Sequence, residues 1–201
     1  MKILIVSPPR CGSTSLLNNL CELTNSKRIA EPYTNPKELL TRKQNEYPLN
    51  LNGNYIVKMV SNQVPESYRE DFESFITLVY REYSKVILLS RRNLQEHFES
   101  YINLRSRLNK KDVHDSWYID DIKPFYDRFD IEKFKLKTTV VDIISKKLKI
   151  PIIYYEDLYG KDRKKSLKII ESLNLNIDNS KLNDKLNPIF RYRQFTKRPI
   201  L

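Results

Sequence analysis

The chain has 201 residues, a formal net charge of +11 from 36 Lys and Arg against 25 Asp and Glu, and two cysteines. Two cysteines without metal-ligand spacing argue against a disulfide framework or a metal site and favour a cytoplasmic setting. No apolar stretch reaches the length of a membrane span. The length predicts a single domain over residues 1–201, and the basic charge predicts an anionic ligand.

Apolar runs and helical periodicities alternate along the chain. Strands are predicted at 2–7, 28–31, 54–60, 85–90 and 151–155, and helices at 14–24, 36–44, 68–82, 93–108, 131–148 and 162–173. Strands that alternate with helices favour a parallel sheet with helices on both faces. The predicted fold class is therefore three-layer α/β/α with a central, mainly parallel sheet.

The loop after the first strand has the composition of an anion-binding turn. Two prolines end the strand, and Gly12 allows the backbone to turn sharply before the next helix begins. Backbone amides at a helix start, neighbouring hydroxyls and an arginine favour a phosphate or a similar group. The residues that we expect to contact the anion are Arg10, Cys11, Gly12, Ser13, Thr14 and Ser15.

Two known phosphate loops do not fit this segment. The nucleoside triphosphate loop needs Gly-x-x-x-x-Gly-Lys-Ser/Thr, whose lysine reaches the terminal phosphates, and here one glycine stands without that lysine. The phosphatase loop pairs a cysteine with an arginine six positions later, but six positions after Cys11 comes Leu17. Kinase, ATPase and phosphatase activities are therefore disfavoured. The helix start could lower the pKa of the Cys11 thiol, which we consider incidental.

A second constellation follows the strand at 85–90. That strand ends in Arg91 and Arg92, and Ser100 lies two turns into the next helix. At about 1.5 Å per residue the backbones of Arg92 and Ser100 lie about 12 Å apart, a distance that a long arginine side chain spans. A guanidinium fork beside a serine hydroxyl suits a phosphate.

Three motifs together resemble the sulfotransferases that use 3′-phosphoadenosine 5′-phosphosulfate (PAPS). Pro9-Arg-Cys-Gly-Ser-Thr14 is similar to that family's 5′-phosphosulfate loop, and Arg92 with Ser100 matches the spacing of its 3′-phosphate site. The segment 152–158, which ends in Tyr-Glu-Asp-Leu, is similar to its "YEDL" strand end. The resemblance covers residues 2 to about 175 and implies a P-loop NTPase-like fold, PAPS as the sulfuryl donor and no metal.

Two departures from the family locate the expected base. Ser15 stands where many members carry a tryptophan, and Lys58-Met-Val60 lacks the histidine of the family's Lys-x-His. Carbohydrate-type and bacterial members often use a glutamate instead, and Glu31 before Pro32 has that pattern. The resemblance thus implies Glu31 as the base, with Arg10 and Lys58 assisting the leaving group. The acceptor would be a small molecule or a carbohydrate with a hydroxyl, or an amine.

Other interpretations stay open from the sequence. The chain could be a non-catalytic nucleotide or nucleic-acid binder on the same fold, or an atypical nucleotide kinase, although no nucleic-acid-binding signature accompanies the charge. Glu31 could be a loop acid, and Arg92 could pair with Glu96 along the helix. His97 is expected to be a surface or packing residue, and Glu156 with Asp157 is expected to brace the helix at 162–173. The basic tail 191–198 could close over the 3′-phosphate.

Overall fold

The computed structural model describes residues 1–32, 52–61, 72–109 and 131–178. These ranges contain five strands: β1 (Lys2–Ser7), β2 (Lys27–Ala30), β3 (Tyr55–Val60), β4 (Lys85–Ser90) and β5 (Ile152–Tyr154). They also contain six helices: α1 (Ser13–Thr24), α2 (Phe72–Glu82), α3 (Leu94–Asn109), α4 (Ile131–Leu148), α5 (Tyr155–Leu158) and α6 (Arg163–Ser172).

The five strands form one parallel sheet in the order β2-β3-β1-β4-β5. The central strand β1 lies in register with both neighbours, so that Ile5 is opposite Lys58 on β3 and Ile87 on β4. Because all strands run in the same direction, their carboxyl ends meet at one edge of the sheet. Ligands of open parallel sheets bind at that edge.

Helices cover both faces of the sheet, which confirms the predicted three-layer α/β fold. Alternate residues of β1 point to opposite faces. Ile3 and Ile5 pack in a buried cluster with residues of α1 and α6, whereas Leu4 and Val6 pack in a second cluster with residues of α2 and α4. Complete burial of each such side chain stabilises the fold by about 1.5–3 kcal/mol.

Most predicted element bounds agree with the structure to within a few residues. Strand β5 ends at Tyr154, one residue before its predicted end, because the next four residues turn into the short helix α5, a helix that the sequence did not predict. Helix α6 begins after Asp162, whose side chain accepts a hydrogen bond from the Lys165 amide at 3.1 Å. The predicted helix at 36–44 and the first residues of the one at 68–82 lie outside the described residues.

Candidate anion-binding site

The loop between β1 and α1 depends on a glycine in a left-handed conformation. Gly12 has φ 73°, and a Cβ added there would lie 2.6 Å from the Tyr159 ring. Any larger residue would therefore be both strained and overpacked. Arg10 also has a positive φ, 68°, which is uncommon outside glycine and recurs at functional sites.

Helix α1 begins directly after this glycine, so its first amides have no acceptor within the helix. Thr14 and Ser15 are exposed in its first turn, whereas Ser13 is buried and its hydroxyl accepts a hydrogen bond from Ser7 at 2.8 Å. The exposed first turn and the free helical amides together offer donors to an anion.

The side chain of Arg10 crosses from the loop to α3. Its Nε donates to the hydroxyl of Ser100 at 3.3 Å, which joins two residues 90 positions apart in the sequence. The structure thus brings together the loop and the serine that sequence analysis placed in separate motifs.

Lys58 and Glu31 meet beside the first turn of α1. Lys58 is only 4% exposed, and its Nζ donates to Thr14 Oγ1 at 2.9 Å and to the Glu31 carboxylate, with which it forms an ion pair. A buried lysine needs such partners. The Glu31 backbone follows β2 with φ 48° and donates its amide to the Lys58 carbonyl at 2.9 Å. Glu31, Lys58 and Thr14 therefore form one cluster at the carboxyl edge of the sheet.

Arg92 lies at the same edge and pairs with Asp157. Both of its terminal nitrogens donate to the Asp157 carboxylate, one at 2.7 Å, and its guanidinium stacks 4.2 Å from the centre of the Tyr154 ring. The hydrogen bonds from Arg92, together with one from Lys165, lower the pKa of Asp157 to about 2. Ser100, which the sequence predicts to share a phosphate with Arg92, accepts a hydrogen bond from Arg10.

Glu156 closes the amino end of α3. Its carboxylate accepts hydrogen bonds from the amides of Arg92, at 3.1 Å, and Asn93, at 3.4 Å. The Arg91 side chain, which is only 6% exposed, stacks 4.5 Å from the centre of the Tyr155 ring and bonds Glu96 at 3.5 Å. The pairing with Glu96 considered for Arg92 thus belongs to Arg91. Glu156 braces α3 rather than the 162–173 helix, to which Asp157 connects through Lys165.

His97 is completely buried beneath the loop. Its Nε2 lies 2.6 Å from the Pro9 carbonyl oxygen and 3.4 Å from Cys11 Sγ, and burial lowers its pKa to about 4. The expected packing role is therefore correct, but sequence analysis missed the contact with the loop. The signal was its position one helical turn before Ser100, on the same face of α3.

At Cys11, burial has a larger effect on the pKa of the thiol than the helix start has. The thiol is completely buried, and the loss of solvation raises its pKa far above the usual range despite the nearby charge of Arg91. The lowering considered from the sequence is wrong, because a thiolate at this position would lie in an apolar environment. Cys11 thus contributes packing and backbone to the loop.

The described ranges contain neither a metal-binding cluster nor a membrane-spanning helix. Within the described ranges, no three His, Cys, Asp or Glu side chains come together in a way that could hold a metal ion. In the same ranges, no helix is long and apolar enough to cross a membrane. The basic tail 191–198 lies outside the described residues.

No family model matches the chain, and neither does any curated protein sequence. The residues and their geometry therefore carry the functional inference.

Proposed function

We propose that this chain is a sulfotransferase that moves a sulfuryl group from PAPS to a hydroxyl or amine acceptor. The observation that carries the proposal is the hydrogen bond from Arg10 to Ser100, which puts the loop and α3 side by side. Two adjacent groups of anion-binding residues suit a ligand with two separated anionic groups. PAPS has this form, with a phosphosulfate at the 5′ position and a phosphate at the 3′ position.

The residues present fit each end of the donor. The loop amides, the hydroxyls of Thr14 and Ser15, and the guanidinium of Arg10 would hold the 5′ group. Ser100 and Arg92 would hold the 3′-phosphate. Arg92 is half exposed, and its guanidinium has further N–H groups beyond the two that donate to Asp157. Asp157 would then orient Arg92 while a phosphate takes the remaining donors.

The donor supplies an activated sulfur that an acceptor oxygen or nitrogen attacks in line. Glu31 accepts the acceptor's proton as the new bond to sulfur forms. Lys58 orients the Glu31 carboxylate through their ion pair and contacts Thr14 at the start of α1. Arg10, Lys58 and the loop amides neutralise the negative charge that grows on the leaving phosphate oxygen when the old sulfur–oxygen bond breaks.

The proposal also includes the class of acceptor and the cellular compartment. A carboxylate base suits a polar hydroxyl such as that of a carbohydrate. Two free, buried cysteines, Cys11 and Cys21, suit a reducing compartment, and we propose the cytoplasm. Nucleic acid is disfavoured as a partner.

Nucleotide binding separates the proposal from its alternatives. The desulfated donor 3′-phosphoadenosine 5′-phosphate (PAP) should raise the melting temperature strongly, and ATP with magnesium should raise it much less. Arg92→Ala should remove most of the PAP shift. A shift with ATP and magnesium but none with PAP would indicate a kinase. A PAP shift without sulfate transfer to any acceptor would indicate a non-catalytic nucleotide binder.

Catalysis needs its own experiment. Labelled PAPS is incubated with pools of carbohydrate, alcohol and amine acceptors, and transferred label is measured. Glu31→Gln should reduce transfer by about 100-fold or more, because it removes the proton acceptor. The control Glu171→Gln makes the same change on the exposed surface of α6 and should retain full activity. Full activity of Glu31→Gln would place the base elsewhere.

A further inference from the structure

Two buried side chains reach the backbone carbonyls of the anion loop from below. His97 Nε2 lies 2.6 Å from the Pro9 carbonyl oxygen. The hydroxyl of Tyr159 lies 2.7 Å from the Gly12 carbonyl oxygen. His97 comes from α3 and Tyr159 from the residue after α5, so two separate elements hold the two ends of the turn.

Both side chains act as hydrogen-bond donors. His97 Nδ1 has no hydrogen-bond partner among the described residues, and Nε2 faces a carbonyl oxygen, so we assign the ring proton to Nε2. The ring stays neutral because burial lowers its pKa to about 4, and the charges around it are those of Arg91, Glu156 and Arg10. Burial likewise raises the pKa of Tyr159 far above its usual range, so its hydroxyl keeps its proton.

A carbonyl held inward turns the next amide outward. The C=O and N–H groups of a trans peptide unit point in opposite directions. The bond from His97 to Pro9 therefore turns the Arg10 amide away from the buried side, and the bond from Tyr159 to Gly12 does the same for the Ser13 amide. The two bonds flank both left-handed residues of the loop, Arg10 and Gly12, whose conformations need support from the surrounding structure.

We propose that His97 and Tyr159 are positioning residues that hold the loop in its anion-binding conformation, an inference that rests on the proposed function of this loop. They contact the loop backbone and leave its outer side to the anion. Their loss should weaken anion binding because the loop amides would no longer be aligned in advance.

The aromatic rings and the hydrogen bonds can be separated by substitution. The Tyr159 ring packs against Gly12, so Tyr159→Phe keeps the packing and removes only the hydroxyl. His97→Leu removes the donor, whereas His97→Gln keeps an N–H group at about the same distance from the backbone. Tyr83→Phe is the matched control, because it removes a buried hydroxyl just before β4, at the opposite edge of the sheet.

The test measures the affinity of the full chain for inorganic pyrophosphate and for PAP by titration calorimetry, with the melting temperature of every variant recorded in parallel. Tyr159→Phe and His97→Leu should each raise Kd for both ligands about tenfold, the loss expected for about one hydrogen bond. His97→Gln should stay within about threefold of the original chain, and Tyr83→Phe should bind both ligands unchanged.

Three results would overturn the proposal: unchanged affinity in Tyr159→Phe, an equal loss in Tyr83→Phe, or an affinity that His97→Gln does not restore although it folds. If His97→Leu fails to fold, Tyr159→Phe still decides. A chain that binds pyrophosphate but not PAP would contradict the proposed function alone and leave the positioning role in place. A chain that binds neither ligand would overturn both.

Discussion

The candidate site has two halves that use basic side chains differently. In the hydroxyl half, Arg10 donates to the hydroxyl of Ser100 on α3 and Lys58 donates to the hydroxyl of Thr14 on α1, while Lys58 also pairs with Glu31. In the carboxylate half the basic side chains bond acidic side chains; its members are Arg91, Arg92, Glu156 and Asp157. Both halves lie at the carboxyl edge of one sheet.

The partner of each cation sets its role. Arg10 reaches from the loop to the hydroxyl of Ser100, and the loop lies beside the exposed first turn of α1, whereas Arg92 is held by hydrogen bonds to Asp157 that fix its orientation. In the proposed function the hydroxyl half binds the 5′ group, and the carboxylate half holds α3 in place and orients Arg92 toward the 3′-phosphate. Substitutions in the first half should change pyrophosphate affinity most, whereas substitutions in the second should change stability and, at Arg92, the affinity for PAP.

The largest effect is expected at Gly12, on which the hydroxyl half is built. Gly12→Ala should lower the free energy of unfolding by about 3 kcal/mol, because a left-handed alanine is strained and its Cβ would meet the Tyr159 ring. Urea unfolding measures the loss. Pyrophosphate binding should be lost at the same time.

Gly53→Ala is the matched control for this substitution. Gly53 also has a positive φ, 89°, but a Cβ there would have no neighbour within 4 Å. Gly53→Ala should lower the free energy of unfolding only by the backbone strain, about 1 kcal/mol, and leave anion binding intact. Equal losses at the two glycines would show that contact with Tyr159 is unimportant.

His97 should produce a smaller effect, which is a dependence of the protein's stability on pH. Below about pH 6.5 the unfolded chain protonates this ring, whereas the folded chain keeps it neutral until about pH 4. Stability should therefore fall as the pH falls from 6.5 to 4, by about 2 kcal/mol, and His97→Gln should remove this part of the slope. If urea unfolding gave the same pH dependence of stability for the original chain and for His97→Gln, the assignment of this slope to His97 would be contradicted. His114→Gln provides the control for the chain's other histidine.

The smallest effect tests the carboxylate half. Asp157 has its pKa lowered to about 2, so the stability it contributes is present above about pH 4 and lost as the pH falls toward 2. Asp157→Asn should destabilise the protein by about 1 kcal/mol at pH 7, since its partners are half exposed and screened, and by less at pH 2. Pyrophosphate affinity should change less than threefold; a larger change would remove the distinction between the halves.

The sequence predicted the strand, loop and helix that form the site better than it predicted the side-chain contacts within the site. Apolar runs and a single well-placed glycine were sufficient to predict β1, the loop and α1, because hydrophobic periodicity and turn chemistry are local signals. The partner of Arg92 could not be predicted, since Asp157 is 65 positions away and only the fold brings them together. The same applies to His97, whose contact with Pro9 depends on how α3 packs under the loop.

The most direct test compares PAP with adenosine 5′-monophosphate, which differs from it only in lacking the 3′-phosphate, in calorimetric titrations of the full chain. If Arg92 and Ser100 bind the 3′-phosphate beside the loop, PAP should bind at least about tenfold more tightly, as expected for charged hydrogen bonds. Equal affinity for the two nucleotides, or no binding of PAP, would contradict the proposed donor site.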